Sequence, residues 1–325
     1  MSAENPSHAH TVSAIDGDLT VLAWLRRVLP QASWSKCRQV LAARRVTING
    51  VITIHEGRRL AAGDRIAVRA TGQSPPKAAR LAIVFVDRQV VIVDKPPHIV
   101  STRRPEEHHW PLSKRLLDPS LDELTSLALW EREHGSLTPA ALKKLTDLPR
   151  LWRVQRLDRE TSGLVVFARS ARAAKGLIRQ FMAHTVERRY RAVVHGCPAV
   201  GKIASQLIRD RGDGRRGSAA EGRPGQHAIT HVLSVTPLGN VSMIECRLET
   251  GRTHQIRIHL SEQGHPICGD DTYGPARGDG DPSAAPRTAL HAVRVAFDHP
   301  TTNARMAFDS EWPQDLAQWL QRCSG

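Results

Sequence analysis

The chain has 325 residues, with 46 Lys and Arg against 32 Asp and Glu, so its formal net charge is +14. This length favours a small domain joined to a larger one. The basic excess favours a polyanionic partner, with nucleic acid ahead of an anionic membrane. There is no apolar run of about 18 residues to span a bilayer. The start, MSAENPSHAHTVSAIDGD, lacks the pattern of a signal peptide, so we expect a cytoplasmic protein with no membrane partner.

The cysteines and histidines do not predict a cross-linked or metal-binding protein. The cysteines stand singly and without C-x-x-C spacing, which predicts reduced side chains and no zinc knuckle. They are Cys37, Cys197, Cys246, Cys268 and Cys323. The 16 histidines are scattered, and neither His8/His10 nor His108-His109 has a third ligand at a useful spacing. No nucleotide-binding fingerprint is present either, so we expect neither a metal nor a small-molecule cofactor.

The first 80 residues read as a tail, a small α+β domain and a linker. Residues 1–14 are polar and predict a disordered tail. Residues 15–70 predict two helices separated at Pro30, followed by short strands with NG and AGD turns. Ser33 or Ser35 is expected to cap the second helix, and 71–80 has linker composition. The buried stripe of that helix is predicted to be Cys37, Val40 and Leu41.

Residues 15–70 contain ten Lys and Arg against four Asp and Glu, a net of +6. Such a face can contact phosphates, but a charge count alone favours an ordinary solvated helix surface. The segments ARRVTING and RLAAGDRIAV resemble a small RNA-binding module shared by a ribosomal small-subunit protein, tyrosyl-tRNA synthetases and many RNA-modifying enzymes. The resemblance implies that this domain binds RNA through Lys36, Arg38, Arg44 and Arg45.

Residues 81–325 predict an α+β catalytic domain with a large mixed sheet. LAIVFVD and VVIVDKPP read as a hairpin, and LVVFARS, RRYRAVVHG and VSMIECRLET as further strands. Ser170 is expected to cap a helix whose apolar stripe belongs to the core. That stripe is Ala174, Leu177, Ile178, Phe181 and Met182. No function is apparent for residues 106–148 or for the Gly- and Arg-rich loop 209–226.

One acid, Asp158, stands between Arg156 and Arg159 and just ahead of Thr161-Ser162-Gly163 and an apolar strand. This order predicts a loop that presents the carboxylate at the edge of a sheet, with cations that keep it ionised. An ionised carboxylate in a cleft can act as a nucleophile. Taken alone, the same residues favour an ordinary surface salt bridge.

Five stretches in order resemble the RluA-type pseudouridine synthases, which isomerise uridine to pseudouridine in ribosomal and transfer RNA. They are VVIVDKPPHIVST, RLDRETSGLVVFARS, ERRYRAVVHG, LETGRTHQIRIHLSEQGHPICGDDTYG and ALHAVRVAFDHPTTNARMAF. The resemblance covers roughly residues 81–315. It implies the pseudouridine synthase fold, a mainly antiparallel mixed sheet with flanking helices, and an RNA substrate.

The resemblance also implies residue roles. Asp158 matches the catalytic aspartate on the ribose side of a flipped nucleotide, and either a covalent adduct or a glycal fits the sequence. Tyr190 matches a tyrosine that stacks under uracil and serves as a general base, and Arg257 an arginine that pairs with the aspartate. The expected substrate-binding residues are Lys95, Arg156, Arg159, Thr161, Arg252 and His254.

Three positions depart from the family pattern. Gln155 stands where histidine is usual, His98 replaces a frequent glycine, and Arg188 replaces a common lysine. None of the three removes the aspartate, the tyrosine or the arginine.

The sequence therefore favours a monomeric RNA pseudouridine synthase acting on ribosomal large-subunit RNA, with transfer RNA as the second choice. A non-catalytic RNA-binding protein on the same fold is one alternative. A nucleoside or glycoside hydrolase is another, because Asp158 and Glu160 form a nearby carboxylate pair.

Overall fold

The structure is a computed structural model that describes residues 8–17, 19–72, 74, 81–103, 107–138, 140–141, 145, 148–212, 215–220, 222–274 and 283–323. The chain divides into two compact units. The small unit comprises residues 1–80 and 103–148, and the large unit comprises 81–102 and 149–325. Within the described ranges, no helix is long and apolar enough to cross a bilayer.

The first part of the small unit has two helices over a four-stranded antiparallel sheet, ordered β1-β4-β2-β3. Its elements are β1 (His8–Thr11), α1 (Val21–Val28), α2 (Trp34–Ala42), β2 (Val46–Ile48), β3 (Val51–Ile52) and β4 (Arg65–Val68). Ser33 caps α2 by accepting a hydrogen bond from the backbone N–H of Lys36, as predicted. The predicted stripe of Cys37, Val40 and Leu41 is also buried.

The second half of the predicted N-terminal tail is ordered, and residues 1–7 lie outside the described residues. Residues 8–11 form β1, which pairs with β4 in the register His8 to Val68. The following Val12 is buried in the core of the small unit. This polar segment is ordered because its backbone pairs with the open edge of β4 and because one valine is buried. The composition of the segment indicates neither contact.

Residues 103–148 group with residues 1–80 in the small unit, although they stand between two segments of the large unit in the sequence. They carry α3 (Leu112–Arg115) and α4 (Leu121–His134), and Glu123 and Ser120 form a capping box at the start of α4. Glu123 also accepts 2.7 Å and 3.1 Å hydrogen bonds from buried Arg103. The compact units therefore differ from the predicted domains, because the sequence assigned the whole of 81–325 to one domain.

The large unit is built on an 11-stranded sheet in the order β11-β10-β12-β13-β9-β14-β8-β6-β5, with β15 on β14 and β7 on β8. Every pairing is antiparallel except β14 with β8. This is the large, mainly antiparallel mixed sheet with flanking helices that was predicted. The strands are β5 (Ala82–Val86), β6 (Val90–Lys95), β7 (Trp152–Arg153), β8 (Ser162–Ala168), β9 (Glu187–His195), β10 (Gly201–Ile208), β11 (Gly217–Ser218), β12 (Gln226–Leu238), β13 (Val241–Leu248), β14 (Leu290–Asp298) and β15 (Arg305–Asp309). The helices are α5 (Ala171–Met182), α6 (Gln255–Glu262) and α7 (Gln314–Cys323).

Helix α5 follows β8 and covers one face of the sheet. Ser170 caps it, and Ala174 and Leu177 are buried, as predicted. Ile178 and Met182 were also predicted to be core residues, but they are 40% and 74% exposed. That prediction was wrong because the apolar stripe is wider than the sheet surface that α5 covers.

Gly163 is required where β8 begins. Its φ is +113°, and an added Cβ would lie 2.4 Å from the carbonyl oxygen of Ala292 on β14. Because only glycine tolerates both conditions, the parallel pairing of Ser162 with His291 depends on it. The loop that carries Asp158 enters the sheet at this point.

Candidate active site

A cavity of about 720 Å³ lies in the large unit. Its walls come from the loop 153–158, from α5, from β9 and from the segment 248–257 before and within α6. A volume of this size is typical of small-molecule sites and exceeds what a uracil ring alone would fill.

Asp158 lies on the wall of this cavity, with 14% of its side chain exposed. Its Oδ2 is 3.8 Å from Nη1 of Arg257, and its Oδ1 is 3.9 Å from Nε2 of His254. The carboxylate is held beside a guanidinium and makes no short hydrogen bond to the described residues, so its oxygens are available to a ligand. The prediction that Asp158, Tyr190 and Arg257 lie together agrees with this arrangement, since all three line one cavity.

Arg257 has a second carboxylate partner that the sequence did not indicate. Its Nε and Nη2 donate to the two oxygens of Asp270 at 2.6 Å and 2.7 Å, and both side chains are almost completely buried. Burial alone would lower the pKa of Arg257, but the hydrogen bond and charge of Asp270 outweigh it and raise that pKa. The same contacts lower the pKa of Asp270 against the opposing effect of burial. This bidentate pair fixes the guanidinium and directs Nη1 at Asp158.

His254 begins α6 in a left-handed conformation, with φ +59°. Its Nδ1 is hydrogen-bonded to the hydroxyl of Tyr273 at 2.9 Å, and that ring also lies beneath the guanidinium of Arg257. Burial lowers the pKa of His254, so the ring is neutral at pH 7. A strained backbone held at a cavity wall is typical of functional sites.

Tyr190 lies on β9 between Cys246 of β13 and Ala292 of β14. Its ring is buried and lines the cavity. Burial raises the pKa of the phenol, Arg188 opposes this, and the charge of Asp158 adds to it. The phenol is therefore protonated at pH 7 and can donate or accept a hydrogen bond inside the cavity.

Lys95 does not reach the cavity, so its predicted contact with substrate needs correction. The ammonium is completely buried and donates to the carbonyls of Pro96, Arg159 and Thr161 at 3.1, 2.9 and 2.6 Å. Three acceptors use all three donors of an ammonium. Burial lowers its pKa to about 7. Lys95 instead fixes the loop between Asp158 and β8.

The other predicted substrate-binding residues divide into two sets. Arg156, Thr161, Arg252 and His254 line the cavity, and within the described part of the chain the buried Oγ1 of Thr161 has no hydrogen-bond partner. Arg159 does not line the cavity, and its Nε donates to the carbonyl of His98. Among the described contacts of Asp158, the charged neighbour is Arg257 and the second neighbour is the neutral ring of His254, so the main cation beside the carboxylate is one that the local sequence did not indicate.

The structure shows where the three residues that depart from the family pattern lie. His98 has φ +65°, in the region that favours glycine. Gln155 lines the cavity and donates weakly to the carbonyl of Leu164 at 3.5 Å. Arg188 is buried at the cavity wall.

The predicted RNA-binding residues of the small unit do not form one exposed set. Lys36 and Arg38 are exposed on α2, and Arg38 pairs with Glu56 at 3.0 Å. Arg45 donates to the carbonyl of Arg69. Arg44 is buried and donates to Asp118 and to the carbonyl of Leu117, so its predicted role in RNA contact is wrong.

Asp270 and Tyr273 are the site residues that sequence reasoning missed. Both belong to the stretch CGDDTYG, in which Asp270 also accepts the backbone N–H groups of Thr272 and Tyr273. An acid followed by its own turn is a weak local signal. Its contact with Arg257 depends on the tertiary fold.

Comparison with solved structures agrees with this fold. The human RNA pseudouridylate synthase domain containing 4 superimposes with a TM-score of 0.55 at 20% identity, covering 74% of this chain and 92% of that one. The human RNA pseudouridylate synthase domain containing 1 gives 0.50 at 22% identity, with 77% and 97% covered.

The chain belongs to the RNA pseudouridylate synthase family, whose model matches residues 89–262. It is 35% identical over 246 residues to the ribosomal large subunit pseudouridine synthase D of Zymomonas mobilis, covering 74% of this chain and 72% of that protein. The protein of the same name from Neisseria meningitidis serogroup B is 34% identical, with 92% and 77% covered. The chain is therefore an RNA pseudouridine synthase, an isomerase whose substrate is RNA.

Proposed function

We propose that this enzyme converts uridine to pseudouridine in ribosomal large-subunit RNA, with Asp158 acting on the ribose of a uridine flipped into the cavity. The observation that carries the assignment is the position of Asp158 on the cavity wall, 3.8 Å from the fixed guanidinium of Arg257. The names of the relatives above support ribosomal RNA as the target.

The reaction breaks the bond from C1′ to N1 of uracil and forms a bond from C1′ to C5. The proton on C5 is lost and N1 gains one, so the mass of the RNA does not change. A carboxylate on the sugar side can add to C1′ or remove a sugar proton. Tyr190, which lines the same cavity, is proposed to stack against the base and to take part in the late transfer of the C5 proton.

The hydrolase alternative needs two carboxylates on either side of the scissile bond. Of the two acids in the loop, Asp158 lines the cavity and Glu160 does not. Release of free uracil from RNA would nevertheless support hydrolysis and contradict the isomerase assignment for this site.

We also propose that residues 15–70 bind RNA as an accessory domain, joined by a linker at 71–80 to a catalytic domain within 81–325. The enzyme is proposed to act as a cytoplasmic monomer. Deleting residues 1–75 is then expected to weaken RNA binding and reduce its salt dependence, since phosphate contacts release counterions. Unchanged affinity across a salt series would contradict this accessory role.

The test of the function is carbodiimide mapping of pseudouridine in total RNA treated with the wild-type protein or with Asp158→Asn. Wild type is expected to modify uridine in large-subunit ribosomal RNA. Asp158→Asn is expected to form no pseudouridine but to bind RNA within a few-fold of wild type, because the amide keeps the shape of the side chain and loses its charge. Glu160→Gln is the matched control and is expected to remain active. Normal turnover by Asp158→Asn would refute its role, and modification of transfer RNA alone would correct the target.

A further inference from the structure

We propose that the active-site cavity contains a second nucleotide subsite, in which Arg188 binds an RNA phosphate and Ile178 and Met182 contact the base of a nucleotide that flanks the target uridine. This inference rests on the proposed function, since it assumes an RNA strand that enters the cavity.

Arg188 is a buried cation without a carboxylate partner among the described residues. Its Nη2 donates to the carbonyls of Glu249 and Leu248 at 2.8 and 3.4 Å, and its Nε has no partner there. Burial lowers its pKa, an effect that no carboxylate offsets. Buried charges in proteins are normally paired. Because this guanidinium lines the cavity and has no carboxylate partner among the described residues, an anion that enters the cavity can pair with it.

The large unit also exposes an apolar ridge beside this cation. Ile178 and Met182 lie one turn apart on α5, line the same cavity and are well exposed. Between them, Phe181 lies 5.6 Å beneath the guanidinium of Arg188. Ile178 and Met182 are among the few large apolar side chains that are exposed in the described ranges, and they continue the wall that holds Asp158.

A cation and an apolar surface side by side match the two parts of a nucleotide. The phosphate needs the guanidinium fork, and the face of a base needs an apolar or aromatic surface that is tolerant of sequence. The cavity volume exceeds that of the flipped uracil alone. A neighbouring nucleotide of the same strand is the group that must lie next to a flipped uridine, so the occupant follows from chain connectivity.

The Arg188 test measures binding of a bacterial large-subunit ribosomal RNA transcript to Asp158→Asn protein, which cannot turn it over, across a series of salt concentrations. Adding Arg188→Gln is expected to raise Kd about tenfold at low salt. It should also reduce the slope of log K against log salt by about one, as for one lost phosphate contact. Arg188→Lys, which keeps the charge, should restore most of that slope.

The Met182 test measures steady-state kinetics on the same transcript in protein that retains Asp158. Met182→Ala is expected to raise KM about three- to tenfold and to leave kcat within about twofold, because the contact is remote from the reacting atoms. Its effect on Kd should not change with salt, since it removes no charge.

Two controls share the chemistry of these residues but lie outside the cavity. Arg189→Gln removes the neighbouring arginine on the other face of β9, which pairs with Glu187 and Glu245. Leu233→Ala removes an exposed leucine on β12. Neither control is expected to change KM, and Arg189→Gln should preserve the salt slope.

An unchanged salt slope in folded Arg188→Gln protein would show that Arg188 serves its carbonyl partners alone, and would overturn the phosphate contact. An unchanged KM in Met182→Ala would overturn the base contact. If Arg188→Gln does not fold, Met182→Ala decides the proposal, because its exposed side chain carries little of the stability. Wild-type protein that forms no pseudouridine in this RNA refutes the proposed target instead. If the wild-type protein is active and the Arg188 and Met182 variants bind and react as it does, only the subsite is refuted.

Discussion

Each unit of this enzyme buries an arginine against an aspartate, and the two pairs have different outcomes. In the large unit Arg257 binds Asp270 with two nitrogens and points the third at Asp158 across a cavity. In the small unit Nη1 of Arg44 donates both to Asp118 and to the carbonyl of Leu117. Arg257 keeps one donor directed at a cavity that a ligand can enter, whereas the Nη1 donor of Arg44 is used for contacts within the small unit.

The difference shows that a positive charge counts toward RNA binding only where the fold leaves a donor facing solvent or a cavity. The net charge of residues 15–70 includes Arg44, although its guanidinium is buried. The exposed cations of that unit are fewer than its composition suggests. The cavity of the large unit, by contrast, is lined by five arginines, which are Arg153, Arg156, Arg188, Arg252 and Arg257.

The largest expected difference between the two pairs comes from removing each aspartate's charge. Asp270→Asn leaves Arg257 buried without its counter-ion, so the free energy of unfolding should fall by about 3–5 kcal/mol. Turnover should fall at least about a hundredfold because Nη1 is no longer held toward Asp158. Asp118 is 29% exposed, so Asp118→Asn should cost only about 1 kcal/mol and leave turnover unchanged. Urea unfolding and single-turnover rates measure both, and equal losses would remove the distinction.

The two tyrosines provide the next test within the large unit. Tyr190 faces the cavity, whereas the hydroxyl of Tyr273 is used by His254. Tyr190→Phe is expected to lower the single-turnover rate about a hundredfold or more, as for loss of a proton-transfer group. Tyr273→Phe loses one hydrogen bond behind the site and should cost less than about tenfold. The reverse order would move the assigned role from Tyr190 to Tyr273.

The pH dependence of the unfolding free energy is expected to come from a buried histidine of the large unit and not from an exposed histidine of the small unit. His291 in the large unit is hydrogen-bonded to Ser162 and Ser310, and burial lowers its pKa to about 4. The unfolded chain, with an ordinary pKa near 6.5, binds more protons between these values. Stability is therefore complete above pH 6.5 and is lost as the pH falls toward 4, by about 2 kcal/mol at pH 5.

The measurement is the free energy of unfolding at pH 7 and pH 5 for wild type and His291→Asn. The variant should lose that part of the pH dependence. His109→Asn, at an exposed position of the small unit, should behave as wild type. An unchanged difference in His291→Asn would assign the acid sensitivity to another group.

The smallest expected effect compares two cations of the small unit. Lys36 is exposed, so Lys36→Gln should weaken RNA binding a few-fold and lower the salt slope by about one, without loss of stability. Arg44→Gln should do the opposite, with a loss of about 1–3 kcal/mol in stability and an unchanged salt slope. Filter binding and urea unfolding of both variants measure this contrast. A reduced salt slope in Arg44→Gln would show that its burial does not prevent contact with RNA.

The sequence predicted the parts that depend on local pattern and on motif order. The β5–β6 hairpin, the caps at Ser33 and Ser170, and the shared position of Asp158, Tyr190 and Arg257 follow from alternation, capping chemistry and the family motifs. Each of these signals lies within a few neighbouring residues.

The parts that were not predicted depend on contacts between distant residues. Asp270 reaches Arg257 only when the turn after α6 folds back, and Arg44 meets Asp118 across 74 positions. The exposure of Met182 depends on where the sheet beneath α5 ends. The grouping of residues 103–148 with the first 80 residues likewise has no local signal.

That grouping has a consequence for the order in which the large sheet is assembled. Strand β6 ends at Lys95 and its next partner β8 begins at Ser162, so a segment that packs with another unit separates two neighbouring strands. The β5–β6 hairpin must leave the ribosome with an unpaired apolar edge and wait for the intervening residues to be synthesised. Folding of that segment against the chain already made reduces the disordered length that must be closed before β8 can pair. A small unit that folds before β8 is synthesised would therefore shorten the loop to be closed at the point where the segment carrying Asp158 enters the sheet.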